Sequence, residues 1–424
     1  MFTKPTLMKS ILRFFRAIGP GLLFASMAIG TSHLVLSTKA GAQYGWIMVI
    51  PIVLANVFKY PFFEFGIRFT TVTQKSLIQG YSDLGKGYLW TYAVVTLIST
   101  FSILAALYVV TAGLLVNLFD ITSISLELCT LALFVCISGI LIIGKYKALE
   151  KSLKVIISLL FVALLTTTLL VLAKGPVVAN PPADHQSIFT GAGILFLISL
   201  MGWMPTAVEA SGWVSLWAIE NQKKEDCPIP LKKALQEFNL GYFLTAVLAL
   251  FFLVIGWYTL YGTGTELSGK AVPFADQLVT LFTTHIGAWS YFLIAIAAFA
   301  TMFSTCMTAH DALARVSVDV LQKMYPQQEK FKGTRAFAIG IIALAFMNLT
   351  VVLLFQANME DLVGLATFIA FVLGPILGWM NLKTVTGANI PKESQPKLWL
   401  RLLTYSGILF LSLFAAYYVY VLLR

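Results

Sequence analysis

Charge is scarce in this chain of 424 residues: Asp, Glu, Lys and Arg make up 11%, against 58% hydrophobic residues. That scarcity excludes an ordinary soluble domain and fits a chain that crosses a membrane many times. Cysteine is sparse as well, with four in all. Cys129 and Cys136 share one apolar run, Cys227 sits in a polar gap and Cys306 lies near the end of another run, so neither a disulfide framework nor a metal-ligand spacing emerges. There is no low-complexity tract, no phosphate loop, no zinc triad and no nucleophile paired with a base. The sequence therefore predicts no enzyme and calls for no cofactor.

What is present is a series of apolar runs of about 20 residues, separated by charged or Pro/Gly-rich gaps. Eleven spans are predicted, centred near Ile29, Val53, Leu104, Val135, Ala163, Leu200, Val247, Ala297, Ala343, Phe371 and Leu411. The longest hydrophilic gaps fall around Lys223, around Gln327 and from Gly262 to His285. Lys and Arg accumulate in cytoplasmic loops. With the amino terminus inside, 24 of the 29 basic residues fall on the inner side, four (Lys39, Lys174, Lys270, Arg424) fall outside and Lys59 lies within a span. This pattern places the protein in the inner (plasma) membrane with its carboxyl terminus outside. The net charge of +10 is then a topology signal, and nucleic acid is not an expected partner. Leu7 to Arg16 reads as an interfacial helix and not as a cleaved signal peptide.

Two spans are interrupted by polar stretches, Gly30-Thr31-Ser32-His33 in the first and Met204-Pro205-Thr206 in the sixth. Irregular backbone at membrane depth is tolerated only where it is enclosed in protein or lines a wet cavity. Breaks five spans apart suggest an inverted repeat with a midplane binding site between its halves. Gly30 lowers helix propensity, and Thr31 and Ser32 can bond the freed backbone groups. His33, the only histidine the sequence places in the membrane interior, and Glu209, about one turn beyond Pro205, are ionisable groups at a depth where such groups are by default functional. The plain alternatives are an unbroken first helix with back-bonded hydroxyls, a proline kink without function, and a neutral packing Glu209.

The other polar residues read more simply. Lys59, Glu64 and Arg68 cluster near the inner end of the second span, and Glu64 and Arg68 have ion-pair spacing. That pair reads as snorkelling at the interface, with an inner gate contact as the alternative. Asp311 and Arg315 repeat the spacing beside His310. Asn348 and Asn381 read as glue between helices.

These features resemble the Nramp family of metal-ion transporters over most of the chain. The resemblance rests on Gly19-Pro20-Gly21, on Ala40-Gly41-Ala42-Gln43-Tyr44-Gly45, on Met204-Pro205 and on the eleven-span plan. It implies an all-α integral membrane protein of the LeuT type, a five-plus-five inverted repeat with helices 1 and 6 broken. It also implies proton-linked uptake of manganese or iron. The whole chain, 1–424, is then one transmembrane domain: interfacial segment 1–17, first repeat 18–173, second repeat 189–382 and a peripheral eleventh helix 402–423. Aligned on Gly41, the family's Asp-Pro-Gly-Asn motif falls on Gly30, Thr31, Ser32 and His33, so the metal-binding aspartate is absent. Met204 keeps the soft sulfur ligand, and the carbonyl three residues earlier belongs to Met201. The family's two histidines fall on Thr206 and Ser211. The Nramp-related magnesium branch keeps the first motif and loses the methionine, the reverse of this chain. The third span has no acidic residue for a family-like proton path.

The expected substrate site is Gly30, Thr31, Ser32, His33, Met201, Met204, Thr206 and Glu209, with His33, Met204 and Glu209 as candidate metal ligands. The leading substrate is a divalent transition metal. The alternatives are a small zwitterionic solute such as an amino acid, carried by symport with a neutral break facing its anionic group, and a relative that does not transport. A coupling ion, proton or sodium, and the lipid bilayer complete the expected partners.

Overall fold

The computed structural model describes residues 20–121, 123–143, 161–179, 187–223 and 228–422. The expected interfacial helix from Leu7 to Arg16, the basic gap from Lys145 to Lys154 and Cys227 lie outside these residues. Helices account for nearly all regular structure among the described residues, as apolar runs must in lipid, where each segment satisfies its own backbone. Among the described residues, eight helical segments are long and apolar enough to cross a membrane, the first of them running from Ser32 to Thr73 through a bend at Gly45. Two shorter apolar helices, Phe161–Lys174 and Gly191–Gly202, lie where the fifth span and the first half of the sixth are predicted.

The first span is Pro20–Ala28 followed, after a gap, by Ser32–Ser37 in wide π-helical turns and Thr38–Tyr44. Span two is Val49–Thr73 and span three Lys86–Phe119, with the short helix Leu77–Leu84 between them. Leu126–Ile143 is span four. The sixth span is Gly191–Gly202 and Ala210–Gln222. Spans seven to eleven are Leu231–Leu260, Tyr291–Met324, Gly333–Leu354, Met359–Thr386 and Leu398–Leu422.

The gap from Gly262 to His285 between spans seven and eight contains a helix, Ala271–Ile286. Ala271, Phe274, Ala275, Leu278, Val279 and Phe282 are buried, the three- and four-residue spacing of an amphipathic stripe.

Polar side chains tie the bundle together at a few points. Asn381 Nδ2 donates to the Phe62 carbonyl (2.8 Å) and to Ser211 Oγ (2.9 Å), while its Oδ1 accepts from the Tyr81 hydroxyl. One amide thus joins spans two, six and ten to the short helix Leu77–Leu84. Asn348 Oδ1 accepts from the Ala105 amide at 3.0 Å, linking spans nine and three. Around the first half of span one, Phe24 meets Phe63, Phe238 and Tyr242 at ring separations of 5.1 to 5.5 Å. Each such pair contributes about 0.5–1.5 kcal/mol beyond its buried area.

Candidate functional site

The first break is shorter than the sequence suggests. The helix ending at Ala28 gives way at Ile29 and Gly30, and regular turns resume at Thr31. Span eight comes so close that a Cβ on Gly30 would lie 2.7 Å from Thr305 Cγ2, so only glycine fits without movement. The Thr305 hydroxyl lies 3.0 Å from the Ser26 carbonyl and 3.1 Å from that of Ile29. It supplies a donor to the carbonyl end that the break leaves unpaired.

His33 is fully buried, but in the wide turns beyond the break. Its Nε2 is 2.9 Å from the Thr245 carbonyl oxygen, which can only accept, so Nε2 carries the proton and donates. Nδ1 faces Ser32 Oγ at 2.8 Å. Nδ1 therefore keeps the ring's lone pair and faces a hydroxyl that also lies 2.9 Å from the Ala28 carbonyl oxygen, away from any grouping of metal ligands among the described residues.

The second break is longer. Gly191–Gly202 stops where a Cβ on Gly202 would lie 2.2 Å from the Thr367 carbonyl oxygen of span ten. The chain is irregular through Trp203 to Glu209, with a cis peptide between Met204 and Pro205, before Ala210 starts the next helix. The carbonyl end of a helix carries partial negative charge and unpaired acceptors. Here a side chain from span two meets it. Lys59 Nζ donates to the Met201 carbonyl at 2.6 Å, the Gly202 carbonyl at 2.7 Å and the Thr206 carbonyl at 3.4 Å.

This separates Lys59 from the inner-end cluster in which the sequence groups it. Lys59 is 0% exposed and parts company with Glu64 and Arg68. Those two do form the expected pair, with Arg68 Nε 3.0 Å from Glu64 Oε2, and Arg68 Nη1 also donates to the Ser394 carbonyl at 2.7 Å. The pair is enclosed by protein, since Glu64 is only 2% exposed.

Glu209 is buried, and neither of its carboxyl oxygens meets hydrogen-bond geometry with a protein partner. Ser99 and Lys59 are nevertheless near enough to act on it electrostatically.

Between the two breaks lies a cavity of about 30 Å³, room for roughly one or two waters. Thr31, Ser32 and Thr206 line it, together with Trp203, Trp213, Thr305 and the apolar side chains of Met27, Ile103 and Leu107. Of the expected site, Gly30, His33, Met201, Met204 and Glu209 are not among the lining residues. No carboxylate reaches the cavity, and no three His, Cys, Asp or Glu side chains are grouped to hold a metal among the described residues. The Trp203 Nε1–H is buried and has no hydrogen-bond partner.

The sequence reading missed Lys59, Trp203, Trp213 and Thr305. For Lys59 a signal existed, since a lone lysine inside an apolar run calls for a partner at depth. His33 is also not the only interior histidine. His310 is fully buried, with Nδ1 2.8 Å from the Tyr108 hydroxyl and Nε2 3.0 Å from the Ile341 carbonyl. Asp311 and Arg315 pair as spaced, at 2.7 Å.

A family model described as natural resistance-associated macrophage protein-like matches residues 21–421. An uncharacterised protein of Pasteurella multocida is 32% identical over 409 residues, 96% of this chain and 92% of that protein. Among solved structures, a manganese transporter of Eremococcus coleocola superposes with a TM-score of 0.71 at 13% identity, over 98% of this chain and 87% of that one. MhsT, solved in complex with L-phenylalanine, superposes with a TM-score of 0.61 at 15% identity, over 93% and 98%. At these identities the superpositions show the fold alone: an all-helical membrane bundle of the LeuT type.

Proposed function

The chain belongs to the Nramp family, a family of membrane transporters and not of enzymes, and from that premise we propose that it is a secondary transporter working by alternating access at the cavity between its two broken spans. The inverted halves, 18–173 and 189–382, move around that site within a single unit of 1–424, and 402–423 stays peripheral. Cargo moves inward across the plasma membrane.

The geometry favours a small uncharged or zwitterionic solute that presents hydrogen-bond acceptors. The observation that carries this reading is Trp203, whose indole lines the cavity with an N–H lacking a partner. Indole nitrogen donates and cannot ligate a cation, and a buried donor left unpaired costs about 1–3 kcal/mol. Thr31 and Ser32 begin the second half of span one, where helix amides and a positive dipole end favour an anionic group. Thr31, Ser32 and Thr206 line the same cavity as the apolar Ile103 and Leu107. A volume of about 30 Å³ holds no amino acid, so loading requires the broken halves to separate, as alternating access demands.

A second reading, a divalent transition metal, draws on family membership and on the fold shared with a manganese transporter. The Met204 sulfur and the Met201 carbonyl would serve it, with His33 and Glu209 recruited by rearrangement. Thermal unfolding of the purified protein across a panel of amino acids, other small solutes, manganese, iron and cobalt separates the two, because selective binding to the folded state raises the midpoint. Stabilisation by a solute and a loss of affinity of about tenfold in Trp203→Phe, the worth of one hydrogen bond, support the organic reading. Saturable stabilisation by a transition metal alone would replace it.

A further inference from the structure

We propose that Lys59 is a tethered cation: its ammonium takes the place at the carbonyl end of the broken sixth span that a dissolved alkali cation would otherwise fill, and so makes this protein indifferent to sodium. The inference rests on reading the two breaks as the transport site.

Three observations carry it. The Met201, Gly202 and Thr206 carbonyls converge on one point, where Lys59 Nζ sits at 2.6, 2.7 and 3.4 Å. An ammonium has three donors and all are used. In transporters built on broken helices, such exposed carbonyls and half-helix carboxyl ends coordinate the coupling sodium or proton. Second, Lys59 has no carboxylate within ion-pair distance among the described residues, and Glu209 acts on it only at longer range. Backbone oxygen is its ligand set, as it would be for a metal ion of like charge. Third, the lysine is fully buried and reaches across from span two, which a lysine capping its own helix at a water interface does not do. Its Nζ already sits at the carbonyl cluster, so a second cation would compete for the same oxygens.

A covalent cation differs from a dissolved one in a way that selects cargo. It cannot be left behind or released, so it stays at the carbonyl cluster through every state of the cycle. While protonated it disfavours a free dication nearby and favours neutral or anionic groups.

The test is thermal unfolding of the purified full-length protein in sodium, potassium or choline chloride at equal ionic strength, with no transported solute present. Its result is therefore independent of what the protein carries. The parent midpoint should be the same in all three salts. Lys59→Met, which keeps an unbranched four-atom stem and removes the ammonium, should be destabilised in choline and regain roughly 3–5 °C with saturating sodium. Lys59→Ala should regain stability from n-propylammonium, the missing part of the side chain supplied as a free molecule. A parent that sodium stabilises overturns the proposal, as do folded variants that respond to no cation. If neither variant folds, the parent decides: indifference to sodium upholds the proposal and a sodium-dependent midpoint removes it.

Discussion

His33 Nε2 and the Thr245 carbonyl oxygen stand 2.9 Å apart, tying the first span to the seventh just past the break. With Nδ1 against Ser32, the imidazole acts as a strut between helices. His33→Ala should therefore lower stability by about 2–4 kcal/mol, from a lost buried hydrogen bond and the cavity left behind. His33→Gln, which can still donate to Thr245, should bind the cargo within about threefold of the parent, well under the effect of one hydrogen bond. Calorimetric titration of both variants checks this. Loss of transition-metal binding in a folded His33→Gln protein would make the ring a ligand and revive the metal reading.

Glu209 lies at the far end of the irregular segment that Lys59 holds at its start, with its carboxyl oxygens unbonded. Replacing it by Gln keeps the shape and removes the charge. Uptake into proteoliposomes should fall by about tenfold or more, the scale of one charge-assisted hydrogen bond. Parent-like uptake by Glu209→Gln across roughly pH 5 to 8, a range wide enough to include a displaced carboxyl titration, would reduce Glu209 to a packing residue.

Gly30 and Thr305 form a testable pair. Adding a Cβ at Gly30 places it 2.7 Å from Thr305 Cγ2, an overpacking worth about 1–3 kcal/mol. Gly30→Ala should lower the unfolding midpoint. Gly30→Ala combined with Thr305→Ser, which removes the obstructing methyl but keeps the hydroxyl, should recover most of the loss. No recovery in the double variant would mean that Gly30 is needed for its backbone and not for the approach of span eight.

The distribution of basic residues predicts an orientation with the Lys223 segment inside. Cysteines introduced beside Lys223 should be shielded from impermeant reagents added to intact cells, and those beside Gly264 should be labelled. The reverse pattern would invert the protein in the membrane and the direction of transport with it.

Both breaks were legible because Gly30 and Pro205 disrupt otherwise unbroken apolar runs. What these residues face was not. Lys59 sits five residues before Glu64, so sequence alone groups it with its neighbour in the chain. Its actual partners are backbone carbonyls 142 and 143 residues away, which have no side-chain signature. The depth of His33 was readable, but the direction of its ring depends on where span seven passes. His310 was placed beside an ion pair at a helix end, while the structure encloses it between spans three and nine. The Ala271–Ile286 helix did carry its signal in the spacing of Phe274, Leu278 and Phe282, but the segment was weighed by polarity and not by period.

The wide turns from Ser32 to Ser37 have a mechanical consequence. A π-helical stretch holds more residues per turn than the α-helix on either side, so it is slack wound into the helix. Ser37 Oγ already reaches the Ser32 carbonyl at 3.1 Å, providing a donor for that carbonyl while the winding changes. Tightening these turns towards α-helical pitch would rotate and advance Thr38–Tyr44 relative to the break, with no bending at Gly30. The first span thus stores slack beside the cavity, and because Thr38–Tyr44 lies so close to span seven that a Cβ on Gly41 would come 2.0 Å from the Leu253 carbonyl oxygen, rewinding would carry span seven along with it.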